Sequence, residues 1–372
     1  MTVVLPAAAK NLSALTSIRF LAALRVAMYH LVNWDHHTFW WRGLMGIPAS
    51  VSYFFVSSGF LLTYTYSARF DRDEMQYGKF WLGRCARLLP VYFLGLLVAL
   101  PVLLHSHTAA PGKMFLTVFL LQAWFPRSAL YWNTPAWALS NLAFCYLSLP
   151  FLLRATRRFS KTACLLFAAA AWLTSLTLSL SYLHLNPDNL THIDSNNEAF
   201  WLYVLKYNPF VHLPEFFIGV LAARLFTTTG GFTRAYADYA FAFSTAIIVM
   251  ILLLGYSIPY PVTHTGLLAP LLAILIASIA SGAFIDKILK PKWFVLLGQS
   301  SFALYMLHWP LLVFATWYFA NRTELGPIGR LLVVAVIVVL SLALYKWVEA
   351  PLTAKLRKSL FKSAGATPKY SE

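Results

Sequence analysis

The chain of 372 residues is short of charge, and of negative charge above all. Charged residues make up 11% of it, and Asp and Glu together number 13, so it lacks the charged surface of a soluble globular domain. Cysteine is scarce as well, since Cys85, Cys145 and Cys164 stand alone in apolar surroundings without CxxC spacing. Structural zinc sites and disulfide scaffolds need grouped cysteines. We therefore interpret the three as apolar packing residues and predict no metal site.

Apolar residues take the place of the missing charge. They account for 59% of the chain, and the mean hydropathy is +0.65. Apolar stretches of about 20 residues, the length that crosses a bilayer, recur along the whole chain. They predict an all-α integral membrane protein with about ten transmembrane helices. The predicted spans are 12–33, 45–66, 86–105, 133–154, 162–184, 208–226, 236–256, 264–284, 294–319 and 327–350.

One further apolar stretch, 114–125, is too short to cross and is predicted to be re-entrant or interfacial. With ten spans, most of the 29 Lys and Arg residues fall in loops on one side. The positive-inside rule identifies that side as cytoplasmic, so both termini are expected in the cytoplasm. We predict a cytoplasmic tail over 1–11, one transmembrane domain over 12–352 and a basic cytoplasmic tail over 353–372.

The net charge of +16 does not indicate nucleic-acid binding. The basic residues are dispersed over many short loops, and no basic stripe interleaved with stacking aromatic residues occurs. Membrane lipid is the expected surrounding, and no nucleic-acid partner is expected. The sequence therefore predicts a multi-pass protein of the cell membrane.

The first predicted span contains three ionisable residues, and two of them, Arg19 and His30, are candidate functional residues because such groups are costly inside a membrane. Arg19 and His30 lie 11 residues apart, which returns to within ~20° of the same helix face, about 16 Å along the axis. One groove could then hold an anionic or amide-rich donor near Arg19 and a proton acceptor at His30. A histidine takes a proton from a hydroxyl readily near neutral pH. Arg25 lies on another face, which favours a structural ion pair.

Two further patterns suggest ligand contacts. Ser58 and Gly59 form a small, polar break in an apolar helix, which fits close helix packing or a ligand-lining role equally well. Arg84 and Arg87 lie at i and i+3 at the start of the third span, so their guanidinium groups are expected to be neighbours. Such a pair suits phosphate or pyrophosphate recognition.

In order along the chain, these and other motifs resemble those of the acyltransferase family 3 membrane proteins, from about residue 12 to 352. One departure is Leu142, because the family often has Glu at that place in the motif around Trp137. The motifs that carry the resemblance are Arg19 to His30, Ser58-Gly59-Phe60, Arg84-x-x-Arg87-x-x-Pro90, Trp137-x-Leu139-Ser140, Pro214-Glu215-Phe216, Leu297-Gly298 through Tyr305-x-x-His308-Trp309-Pro310, and Glu349-x-Pro351.

The resemblance implies O-acylation, usually O-acetylation, with acyl-CoA as co-substrate. The acceptor would be a cell-surface carbohydrate, namely a polysaccharide, lipopolysaccharide or lipid-linked glycan, at the inner (cytoplasmic) membrane, with polysaccharide-assembly proteins as possible partners. The resemblance implies that His30 is catalytic and that Arg19 is its motif partner. It places Arg84 and Arg87 at the CoA phosphates. Further residues implied near the site are Ser58 for the donor and, as site-lining residues, Glu215, His308 and Glu349.

A transporter for a lipid-linked sugar or a small anion is the alternative of another class. Intramembrane Arg and His residues serve transport equally well, and composition does not separate the two functions. Secondary transporters often show internal repeats with paired broken helices. The two halves of this sequence show no clear similarity, which favours the acyltransferase.

Overall fold

Helices form every regular element in the described part of the chain. The computed structural model of the protein describes residues 12–31, 48–255, 257–320 and 327–362. The helices are α1 (Ser13–Leu31), α2 (Pro48–Asp71), α3 (Tyr77–His105), α4 (Pro111–Val118), α5 (Ala136–Ala155), α6 (Lys161–Leu185), α7 (Phe200–Tyr207), α8 (Pro209–Thr229), α9 (Arg234–Leu253), α10 (Tyr260–His264), α11 (Ala269–Ala280), α12 (Ile285–Leu289), α13 (Lys292–Gln299), α14 (Ser301–Ala320), α15 (Pro327–Leu344) and α16 (Ala350–Lys362).

Seven helical stretches among the described residues are long and apolar enough to cross a membrane. Of the other three predicted spans, 12–33 and 45–66 overlap α1 and α2 as far as these residues are described, and 294–319 covers two helices, α13 and α14. The membrane helices are confirmed as a class, whereas the count of ten and the orientation of the termini remain predictions. The seven stretches are Tyr77–His105, Ala136–Ala155, Lys161–Leu185, Phe200–Thr229, Arg234–Leu253, Tyr260–Ala280 and Ile328–Leu356.

Large apolar side chains cover much of the outer surface of the helices. Leu97, Phe151 and Ile328 are each more than 60% exposed. A water-soluble monomer rarely shows apolar patches of this extent. The surface is instead suited to contact with lipid chains.

The short apolar segment after α3 does not form a long helix. Helix α4 ends at Val118, and 3₁₀ turns follow at Gln122–Trp124 and Pro126–Ser128. The Ser140 hydroxyl donates to the Leu120 carbonyl, and the Gln122 amide donates to the Ala136 carbonyl at 3.1 Å. These bonds satisfy backbone groups that the interrupted helix leaves open. The structure therefore agrees that 114–125 is too short to cross, while its depth in the membrane remains a prediction.

Helices α2 and α8 cross at a contact made by two glycines. A Cβ atom on Gly59 would overlap the Phe216 carbonyl, and one on Gly219 would overlap the Val56 carbonyl. The absence of side chains lets the two backbones touch, as small residues do at membrane helix interfaces. Close packing therefore explains the Gly59 position of the Ser58-Gly59 break.

An ion pair joins three helices at the ends that carry the basic loops. Arg224 of α8 donates to both carboxylate oxygens of Asp71, at 2.5 and 3.0 Å, and to the Leu153 carbonyl of α5 at 2.8 Å. Bidentate pairs of this kind are geometrically specific. They fix the relative position of α2, α5 and α8.

Candidate active site

The first group of site residues lies near the N-terminal end of α1. Arg19 is half-buried, and the charges of Arg87 and Glu349 act on it. Its buried Nε atom has no hydrogen-bond partner. The structure thus brings together three predicted residues from α1, α3 and the turn before α16. Their net charge is positive, which suits an anionic ligand.

Local backbone features position this group. Tyr345–Glu349 forms a π-helical turn between α15 and α16, and Glu349, at its end, is 5% exposed. π turns inside helices often occur at functional sites. The Oε2 atom of Glu349 is buried without a hydrogen-bond partner. Helix α13 also packs closely on α1. Gly298 of α13 lies against the Thr16 carbonyl of α1, and a Cβ atom on Gly298 would overlap that carbonyl.

The two predicted phosphate-binding arginines have different recorded partners. Arg84 donates to the Tyr66 hydroxyl at 3.1 Å, and its guanidinium lies 5.7 Å from the centre of that ring. Arg87 is exposed and acts on Glu349 instead. That the two arginines bind phosphate together remains a prediction. Ser58 is buried in α2 beside the α2–α8 contact, and its role with the donor remains a prediction.

The second group lies at the C-terminal end of α1. The His30 ring stacks on His308 of α14, with ring centres 5.4 Å apart and planes inclined by 28°. The edge of Trp309 meets His30 at 5.2 Å. The predicted residues His30 and His308 are therefore neighbours, and Trp309 is a neighbour that sequence reasoning did not single out.

The hydrogen bonding of His308 determines its tautomer. Its Nδ1 lies 2.7 Å from the Tyr305 carbonyl, which only accepts, so Nδ1 carries the hydrogen. The Nε2 atom of His308 is buried and has no hydrogen-bond partner. In the neutral ring that atom presents a lone pair. The ring can therefore accept a hydrogen bond at this atom.

One continuous helix connects the two groups. Helix α1 runs from Ser13 to Leu31 without a break, so Arg19 and His30 are separated by about 16 Å along its axis. Helices α13 and α14 pack on α1, and that Arg19 and His30 share one side of the helix remains a prediction. The arrangement offers positive charge at one end and a proton acceptor at the other.

Glu215 belongs to a separate buried cluster. Its Oε1 lies 2.8 Å from Nδ1 of His212, and both side chains are fully buried. Nε2 of His212 donates to the Lys206 carbonyl at 2.8 Å, and Nε2 of His264 donates to the same oxygen at 3.0 Å. The structure does not place Glu215 against His30. The sequence analysis did not identify His212; its i, i+3 spacing to Glu215 on a helix is the pattern that indicates such a pair.

In the described ranges of the chain, no group of three or more His, Cys, Asp or Glu side chains is arranged to hold a metal ion. That the protein works without a metal remains a prediction.

The chain was compared with protein-family models, curated proteins and solved structures. The model of a family described as an acyltransferase domain matches residues 12–346, nearly the whole chain. Neither a curated protein nor a solved structure matches the chain. The family match confirms the resemblance that the ordered motifs indicated.

Proposed function

The chain belongs to this acyltransferase family, and we propose that it is a membrane O-acyltransferase that moves an acyl group, by default acetyl, from acyl-CoA to a hydroxyl of a glycan. The family and the multiple apolar helices support a multi-pass membrane acyltransferase. Donor, acceptor and the O-acetyl specificity are the proposed part. So are ten spans with both termini in the cytoplasm, and residence in the cytoplasmic membrane.

The donor is proposed to bind at the Arg19 end of α1, which faces the cytoplasm in this topology. Arg84 and Arg87 would hold the CoA phosphates, since guanidinium groups recognise phosphate oxygens well. Arg19 carries a further positive charge toward the interior. The arm of the donor would then run along α1 toward His30, a distance of about 16 Å.

His30 is proposed to be the general base. It removes the proton from the acceptor hydroxyl as the hydroxyl oxygen attacks the thioester carbonyl. The tetrahedral intermediate collapses, the C–S bond breaks, and the CoA thiolate leaves and takes a proton from His30. An ester and free CoA result. The neutral His308 ring, stacked on His30, is positioned to stabilise the imidazolium that forms transiently.

The observation that carries the proposal is the single helix α1. Arg19 lies beside Arg87 and Glu349 near one of its ends, and His30 lies against His308 and Trp309 at the other. A donor bound on one side of a membrane and an acceptor on the other need such a separation. Positive charge and a base at opposite ends of one element meet that need.

The test uses membranes that contain the wild-type protein, His30→Ala or His184→Ala at matched expression. His184 is an exposed histidine in the last turn of α6 and serves as the matched control. Membranes receive radiolabelled acetyl-CoA, and the label is followed into cell-surface carbohydrate. We expect label with the wild type and with His184→Ala, and a loss of at least roughly 10²-fold with His30→Ala. Label that does not depend on the protein would refute acetyl transfer to these acceptors and favour the transporter.

A further inference from the structure

A buried lysine lies at the same end of the bundle as His30. Lys206, in the last turn of α7, is 4% exposed. Its ammonium lies 5.4, 5.2 and 5.4 Å from the ring centres of Tyr203, Tyr207 and Tyr260. It also donates to the Ser195 carbonyl at 2.9 Å. Three aromatic faces hold the cation in place, and one backbone oxygen occupies its remaining side.

Hydrogen bonds from two histidines hold the main chain of Lys206 in place. Its carbonyl accepts hydrogen bonds from His212 and His264, both of which are buried. These bonds hold the backbone from which the Lys206 side chain extends, and binding sites require such support. The ammonium therefore forms a prepared surface toward the polar segment 186–199.

This segment is held firmly at its base. Asp188 accepts hydrogen bonds from the backbone N–H groups of Trp201 and Leu202 and from the Tyr182 hydroxyl. Its tip, residues 194–198, is closed by bonds within itself, from the Asp194 N–H to Asn197 and from the Asn196 N–H to Asp194. The base thus anchors the segment to α6 and α7 independently of the tip.

Ser195 makes the hydrogen bonds that join the tip to the helices, as far as the described residues show. Its carbonyl accepts from Lys206, and its hydroxyl lies 3.4 Å from the Tyr29 hydroxyl. Tyr29 directly precedes His30, and their ring centres are 5.5 Å apart. The tip therefore covers the surface next to the proposed base.

Charge indicates what could replace the tip. Asp194 and Glu198 are exposed carboxylates of the tip whose negative charge acts on the Lys206 ammonium. If the tip moves away, both charges and the Ser195 oxygen leave with it. A buried ammonium without a negative partner is costly. A ligand that displaces the tip is favoured when it brings its own negative oxygen.

We propose that Lys206 and its three tyrosines form the acceptor subsite and that it takes an anionic group of the acceptor glycan, a carboxylate or a phosphate. The Ser195 carbonyl occupies the place of that group in the closed state. The inference rests on the proposed function, because it assigns the substrate class of the same reaction. It makes an acidic glycan, rather than a neutral one, the preferred acceptor.

The experiment uses the full-length protein in membranes, radiolabelled acetyl-CoA and the surface carbohydrate fraction that the wild type labels. Portions of the fraction are carboxyl-reduced, dephosphorylated or mock-treated, so that the two sources of negative charge are separated. We expect one of the two treatments to raise the acceptor KM of the wild type roughly tenfold, the effect of one charge-assisted hydrogen bond. If neither treatment changes this KM, the subsite does not bind an anion and the inference is overturned.

Variants of Lys206 test whether this residue binds the negative group of the acceptor. Lys206→Met should raise the acceptor KM on mock-treated glycan about tenfold, leave the acetyl-CoA KM unchanged and show no further loss on treated glycan. Lys206→Arg, which keeps the charge, should recover most of the affinity. Lys113→Met is the matched control, because Lys113 is exposed and lies over a single ring, 5.7 Å from the centre of Tyr131.

Two other results have distinct meanings. If Lys206→Met impairs treated and untreated glycan alike, or changes the acetyl-CoA KM, Lys206 is structural and the acceptor subsite is refuted. If the wild type labels no glycan at all, the proposed acyl transfer is refuted, and the acceptor subsite is refuted together with it.

Discussion

Replacing His212 with Ala should destabilise the folded protein by roughly 3–5 kcal/mol, the cost of removing one partner from a buried pair. The Lys206 carbonyl accepts from both His212 and His264, so Nε2 of His212 carries a hydrogen. One proton therefore lies between Nδ1 of His212 and Oε1 of Glu215. The Oε2 atom of Glu215 already has no partner. Without His212, neither oxygen of this fully buried carboxyl would have one.

The comparison variant is Glu215→Gln, whose amide keeps the shape and still pairs with His212. It should cost about 1 kcal/mol, the worth of one hydrogen bond. In the double variant His212→Ala/Glu215→Gln a neutral amide is left unpaired at about 1–3 kcal/mol. The double variant should consequently be more stable than His212→Ala alone. His184→Ala, at an exposed position, should change little.

Thermal unfolding of the detergent-solubilised protein measures these differences. With about 2.1 cal/mol/K of unfolding entropy per residue, the His212→Ala penalty corresponds to a decrease in Tm of roughly 4–6 °C. If His212→Ala lowers Tm by no more than the His184→Ala control, the His212–Glu215 pair does not stabilise the folded protein and the prediction is refuted. It is equally refuted if the double variant shows the sum of the two single effects, because the pair would then not interact.

Gly219→Leu should lower Tm by about 1–4 °C, since its side chain would meet the Val56 carbonyl at the α2–α8 contact and overpacking typically costs about 1–3 kcal/mol; an unchanged Tm would contradict the contact. Asn141→Leu should raise Tm, because both amide atoms of Asn141 are buried without partners and an apolar residue of similar size removes that cost of about 1–3 kcal/mol; a lower Tm in thermal unfolding would show that the amide is paired. His308→Phe keeps a ring against His30 but removes its nitrogens, and the initial rate of acetyl transfer should fall roughly tenfold, or about 1.4 kcal/mol in the barrier; an unchanged rate would show that the stacked ring alone is sufficient.

The family motifs indicated most of the residues that the structure groups into a site, and local geometry explains why. Arg19 and His30 lie on one helix, so their separation follows from the rise per residue. Glu349 was identified by its motif, whereas the π turn that carries it and the packing of α16 on α3 came only from the structure. The roles of these residues as base and donor ligands remain predictions.

Motifs and local spacing did not predict contacts between residues that are distant in sequence. The spacing of Arg84 and Arg87 suggested one phosphate fork, and only the structure shows that Arg84 donates to the Tyr66 hydroxyl of α2. Likewise, the sequence left Gly59 open between packing and ligand lining. The backbone of α8 decides for packing, because it occupies the space that a Cβ atom would need.

The sequence by itself determined the class of the protein. Apolar stretches of bilayer length, the scarcity of charge and the ordered motifs depend on composition and local spacing, which no tertiary contact alters. Only the tertiary structure decided which side chains meet, as in the stacking of His30 on His308 and the enclosure of Lys206 by three tyrosines. Helix packing sets these contacts, and packing depends on the shapes of side chains that lie far apart in the chain.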